Sequence, residues 1–176
     1  MSNPEVDWVL AQLASVVTDV GNNYTARNGD PVTVKRVDRD ESDVLEDGVR
    51  DLENELQQGC YLGATLADVV SDPIGTEYDH AREAVVGLRV VGLHNSEWGH
   101  VDEDGTDGVP WRNGSDGLVD RVRTALLSER TWPDAGGANV SYTDLQFTNE
   151  SPQSSNYQDF YRWDVDVVFD GFETLP

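Results

Sequence analysis

Hydrophobic positions recur along this chain with two different periods, and the two periods sort it into helices and strands. Near the N-terminus Asn3 precedes Pro4, a capping residue followed by a proline in the first turn. Val6, Val9, Leu10, Leu13, Val16, Val17 and Val20 then return at helical spacing, predicting an amphipathic helix over 4–20 with Gly21 as its stop. A second helix, over 116–130, is expected from Leu118, Val119, Val122, Ala125 and Leu126, with Ser115 as its cap.

Period two dominates elsewhere. In "FYRWDVDVVFDGFE" (160–173), Tyr161, Trp163, Val165, Val167 and Phe169 share one parity while Arg162, Asp164 and Asp166 share the other. Side chains of a strand alternate between faces, so this is a half-buried strand with Trp163 inside and two aspartates outside. "VTVKRV" (32–37) and Tyr61–Leu66 predict two more strands. "AREAVVGLRVVGLH" (81–94) is apolar on both parities, as an interior strand of a sheet should be. "ANVSYTDLQFTN" (138–149) switches its apolar parity between Tyr142 and Leu145, which predicts a bulge. The strands 139–148 and 160–169 should form a hairpin. Segment 41–58 stays open between a helix and an acidic loop, because Gly48 and the charges oppose Val44, Leu45, Val49, Leu52 and Leu56. Together these predict one α+β domain over 1–176: a mainly antiparallel sheet of four or five strands with two helices packed on one face.

Charge changes the picture of the surface. There are 34 acidic and 12 basic residues, a formal net charge of −22. The acidic residues are spread along the chain, Asp outnumbers Glu, and Lys35 is the only lysine. Acidic partner-binding proteins gather their charge in blocks. Even spread with lysine shed favours a surface adapted to concentrated brine, where screening removes self-repulsion. One cysteine, Cys60, excludes an internal disulfide. The start "MSNPEVDWVLAQL" has no basic region before an apolar stretch, and no apolar run reaches the ~20 residues of a membrane span. These features predict a chain made and folded in the cytoplasm, away from membranes.

Candidate chemistry is sparse. His94, Glu97 and His100, followed by Asp102 and Asp104, have ligand-like spacing for Zn²⁺. Asn95, Ser96 and Gly99 place them in a loop, and the expectation is a binding or structural loop with no metal and no cofactor. "DEDGTDG" (102–108) misplaces the glycine and glutamate of a calcium loop. No phosphate loop, dinucleotide fingerprint or nucleophile motif occurs, so no enzymatic activity is expected. Basic residues never cluster, which argues against specific nucleic-acid binding. Aromatic residues outside the core pattern either seal the rim of the sheet or anchor a protein interface. Its candidates are Trp98, Trp111 and Arg112 in the long 94–115 loop, with Phe172 and Leu175 in the C-terminal "GFETLP".

The order of elements resembles the tail terminator (tail completion) proteins of long-tailed double-stranded DNA viruses. The resemblance lies in the helix 4–20, the short strand 32–37, the long strand led by "EYDHAREAVVGLRVVGL", the single helix 116–130 and the closing hairpin ending in "FYRWDVDVVF". It rests on layout and on no diagnostic motif, and the 41–58 and 94–115 segments exceed the compact family layout. It implies a structural virion protein that forms a ring, expected to be a hexamer, on the last disc of the tail tube. Such a ring stops tube polymerisation and meets the head's neck, with no catalysis and no cofactor. Its partners would be copies of itself, the tail tube protein and a head-neck protein. Asp164 and Asp166 would then either line the DNA channel or face plain solvent. The salt-adapted composition would make the virus one of halophilic archaea. Alternatives are another neck component (a head–tail adaptor or head-completion protein), a stand-alone acidic binding domain of a halophilic cell, or a metal enzyme using His94, Glu97 and His100.

Overall fold

The computed structural model describes residues 3–26, 29–39, 59–93, 100–102, 108–112, 116–128, 132, 135–136, 138–152 and 160–175. Asn3 caps the first helix as expected: its Oδ1 accepts from the backbone N–H of Glu5 (3.1 Å) and Val6 (3.2 Å). The helical stretch runs past Gly21 and is broken at Leu13, giving α1 (Pro4–Gln12) and α2 (Ala14–Asn23). Just after the break, Ser15 Oγ donates to the Gln12 carbonyl and Thr18 Oγ1 to that of Ala14, back-bonds of the kind that bend helices. The other described helix, α3 (Leu118–Leu127), has Gly117 at its N-cap and no side-chain cap. It therefore starts after the expected cap Ser115, which lies outside the described residues.

Seven strands are described: β1 (Val34–Asp38), β2 (Cys60–Ile74), β3 (Thr76–Leu93), β4 (Val101–Asp102), β5 (Val109–Pro110), β6 (Val140–Pro152) and β7 (Phe160–Thr174). Five form the main sheet in the order β1-β2-β3-β7-β6, and β4 and β5 form a small parallel pair. The fold is α+β with a mainly antiparallel sheet. β3 lies at its centre, as its two apolar parities require. One pair, β1 with β2, is parallel. Parallel neighbours need a long crossover, and the chain between Asp38 and Cys60 supplies one.

β6 and β7 form the expected hairpin, and the predicted bulge falls between Tyr142 and Asp144. Gly171 faces that bulge so closely that a Cβ there would meet Ser141 O and come within 2.5 Å of Tyr142 Cα. A second irregularity, between Thr148 and Ser151, holds Asn149 at φ 53°, a left-handed conformation that asparagine tolerates better than most residues. Its Nδ2 donates to Asp166 Oδ2 at 2.8 Å.

The core lies between the sheet and the helices. Val6, Val9, Leu13, Val16 and Val20 meet Leu118, Val119, Val122 and Leu126 over Leu62, Ala64, Val86, Leu88, Trp163, Val165 and Val167, all nearly or fully buried. Trp163 is fully buried, on the parity the sequence predicts. Trp8 packs edge-on against Phe169, with ring centres 5.5 Å apart.

The largest departure from expectation is the length of β2 and β3. "SDPIGTEYD" (71–79), which lies between the strands expected at Tyr61–Leu66 and 81–94, is paired strand on both sides of Gly75. That glycine takes φ +92°, a value other residues rarely adopt. The two strands thus project as a hairpin arm. β2 is buried at Cys60–Ala64 and exposed from Ser71 to Ile74.

Candidate protein-interaction surface

The far part of the arm lies beside the end of β7 and the start of β6. Cross-strand register places Val70, Glu83, Asp170 and Asp144 in one row and Asp72, Ala81, Phe172 and Ser141 in the next. By strand parity both rows lie on the face opposite the helices, the face that also carries Asp164 and Asp166. Val70 is 43% exposed and Phe172 52%. Ile74 and Tyr78, near the arm's tip, are also exposed. Val70, Ala81 and Phe172 form the apolar floor of an open groove of about 390 Å³, with Asp72, Glu83 and Asp170 on its rim.

The rim is electrostatically unfavourable. Like charges directly opposite each other across a sheet repel, yet Glu83 pairs with Asp170, which pairs with Asp144. Desolvation raises the Glu83 pKa, and repulsion from Asp170, a hydrogen bond shared with it, and Asp68 push the same way.

On the helix side the same end of the sheet is held by a polar network the sequence reading missed. Glu5 is only 1% exposed, and its Oε1 accepts from Arg82 Nη2 and from Tyr142 Oη, each at 2.8 Å. Arg82 Nε donates to Tyr142 Oη (2.8 Å), and its Nη1 donates to Glu173 Oε1 (3.2 Å). Ser71 Oγ donates to Glu173 Oε2. Burial opposes the charge of Arg82, but its bonds to Tyr142 and Glu5 outweigh that and raise its pKa. Burial, helped by Glu5 and opposed by Arg82, raises the phenol pKa of Tyr142. One signal was available in the sequence: Glu5 precedes Trp8 and Val9 by three and four residues, and Arg82 shares the parity of Ala84 and Val86. Each puts a charge on an apolar face, and the charges are opposite.

Of the predicted interface residues, Phe172 lines the groove and Arg112 is exposed. Leu175 is half-buried, and its N–H donates to Tyr78 O at 2.7 Å, extending the β3–β7 ladder. Trp111 is 5% exposed and stacks on Tyr161 with centres 5.3 Å apart. In the single chain it is therefore part of the buried core, stacked on Tyr161. Trp98 lies outside the described residues.

Asp164 is engaged, with Oδ1 accepting from Arg89 Nε (3.0 Å) and Oδ2 from Arg162 Nη2 (2.6 Å). Burial works against its charge, but the two guanidinium groups prevail and lower its pKa.

Of the possible metal ligands, His94, Glu97 and Asp104 lie outside the described residues. His100 is buried, and its N–H donates to Leu93 O. No group of three metal-ligating side chains occurs among the described residues. Burial pushes the Cys60 thiol pKa up to about 12, which keeps it protonated and unreactive. Among the described residues no helix is long and apolar enough to cross a membrane. No family model and no curated protein matches the chain, so its function has to be argued from its own residues.

Proposed function

We propose that this chain is a structural virion protein of the tail-terminator kind, which assembles into a ring, caps the tail tube and joins tail to head. The observation that carries the reading is the exposed apolar end of the sheet. Val70 and Phe172 line one groove, while Ile74 and, on the other face, Tyr78 lie near the arm's tip; all four are 43–54% exposed on elements that are themselves well paired. Clustered apolar side chains on an ordered surface suit contact with another protein. A ring offers such contacts repeatedly, and the α+β layout agrees with the resemblance.

Evenly distributed carboxylates adapt the ring to molar salt. The partners follow from the reading: further copies of the chain, the tail tube protein and a head-neck protein, with no chemistry required of any residue. In this reading Asp164, tied to Arg89 and Arg162, and Asp166, bonded to Asn149, are positioned by their partners and have a structural role. Electron microscopy of the purified protein in molar KCl tests the proposal. Closed rings that bind the end of tail tubes are expected. Monomers at all protein concentrations would contradict it. Lowering the salt from 1 M to 0.1 M lengthens the Debye length from about 3 to about 10 Å. Rings should then dissociate or unfold.

A further inference from the structure

Among the described residues every basic side chain but one is engaged. Arg36 donates to Leu10 O, and Lys35 lies over the Tyr61 ring. Arg39 has an interaction of its own. Arg82, Arg89, Arg121, Arg123 and Arg162 form ion pairs. Arg112 is exposed and has no hydrogen bond, ion pair or ring contact with another described residue. In a chain with 34 acidic and 12 basic residues, an idle guanidinium is conspicuous. The groove at the arm end has the opposite excess, with Glu83 opposed to Asp170 across β3 and β7 beside the exposed Phe172.

These two features cannot meet within one molecule. Arg112 follows Trp111, which stacks on Tyr161, and Tyr161 is paired with Gly92. The groove lies at Ala81 and Glu83. At about 3.3 Å per strand residue, roughly 30 Å of β3 separates the two sites.

We propose that the groove between Val70 and Phe172 receives Arg112 of a second copy of this chain, its guanidinium held by Glu83 and Asp170 and its stem against Phe172. A guanidinium presents paired donors that match two carboxylates, and its methylenes cover apolar surface. The contact joins unlike surfaces at opposite ends of the sheet, so it is head-to-tail, and head-to-tail contacts close into rings when the rotation allows. The inference rests on the ring reading and gives it a specific contact.

A charge swap read by native mass spectrometry and sedimentation in molar KCl provides the test. Arg112→Glu and Glu83→Arg should each weaken association by at least about tenfold, and the double variant should restore much of it. Mixing Arg112→Ala with Phe172→Asp should give 1:1 dimers, because each variant keeps one good end. Circular dichroism should be unchanged throughout, since all three side chains are exposed. Wild-type protein that assembles while both charge variants assemble equally well would overturn the contact and leave the ring reading standing. Single losses without recovery in the double variant would overturn the pairing of these residues. A wild-type monomer would overturn both.

Discussion

The two halves of β3 meet opposite surroundings. From Ala84 to Val90 every second residue is sealed beneath the helices, and beyond them Tyr61 and Val91 are buried on the other face as well. From Tyr78 to Glu83 the strand lies in the arm, where Glu83 is exposed on one face and Tyr78 on the other. The first half is ordered by burial. The second is ordered by its ladders to β2 and β7 and by the Glu5–Arg82–Tyr142 network at its root. A strand whose order does not come from its own burial is free to spend side chains on another molecule. That difference separates residues that hold this fold from residues that present it.

The sharpest way to break the comparison is at the sealed end. Trp163→Ala should cost about 3–5 kcal/mol in denaturant unfolding, a large share of a domain's stability. Next comes the root of the arm. Glu5→Ala strands Arg82 and Tyr142 around a buried gap and should cost about 3 kcal/mol, with the arm's amides losing protection from hydrogen exchange first. Asp164→Asn should cost only about 1 kcal/mol, because the pair with Arg89 and Arg162 is partly exposed. The sign of its pH dependence follows from the lowered pKa. The contribution is present above the ordinary carboxylate value of 3.8 and is lost as the pH falls through the lower folded value. Acid titration of stability should therefore flatten in this variant.

What could be read from the sequence follows the same division. Where one face is buried the hydrophobic period announces the element, and so the N-terminal helix, the interior β3, the bulge after Tyr142 and the burial of Trp163 were all legible. The arm was not, because neither of its faces is sealed and "SDPIGTEYD" carries polar and turn-forming residues in strand positions. Its strands are specified by backbone pairing, which leaves no hydrophobic period. The parallel β1–β2 pair was hidden for another reason: direction depends on the crossover and leaves no mark on either strand. Of the candidate surface, Phe172 stood out as an apolar residue beyond the core pattern. Trp111 could be read either as a seal of the sheet's rim or as an interface anchor, because a loop position says nothing about what folds over it. The value of Arg112 appeared only when its fellow cations were found engaged.

Phe172→Asp is the substitution on which the account turns, since the claim is that the exposed end serves assembly and not folding. Its stability should stay within about 0.5 kcal/mol of the parent. The decisive measurement is the mass of wild type and this variant in molar KCl, by light scattering on a sizing column. The account predicts a wild-type oligomer and a folded, monomeric variant. Equal masses for the two, or a variant that fails to fold, would contradict it.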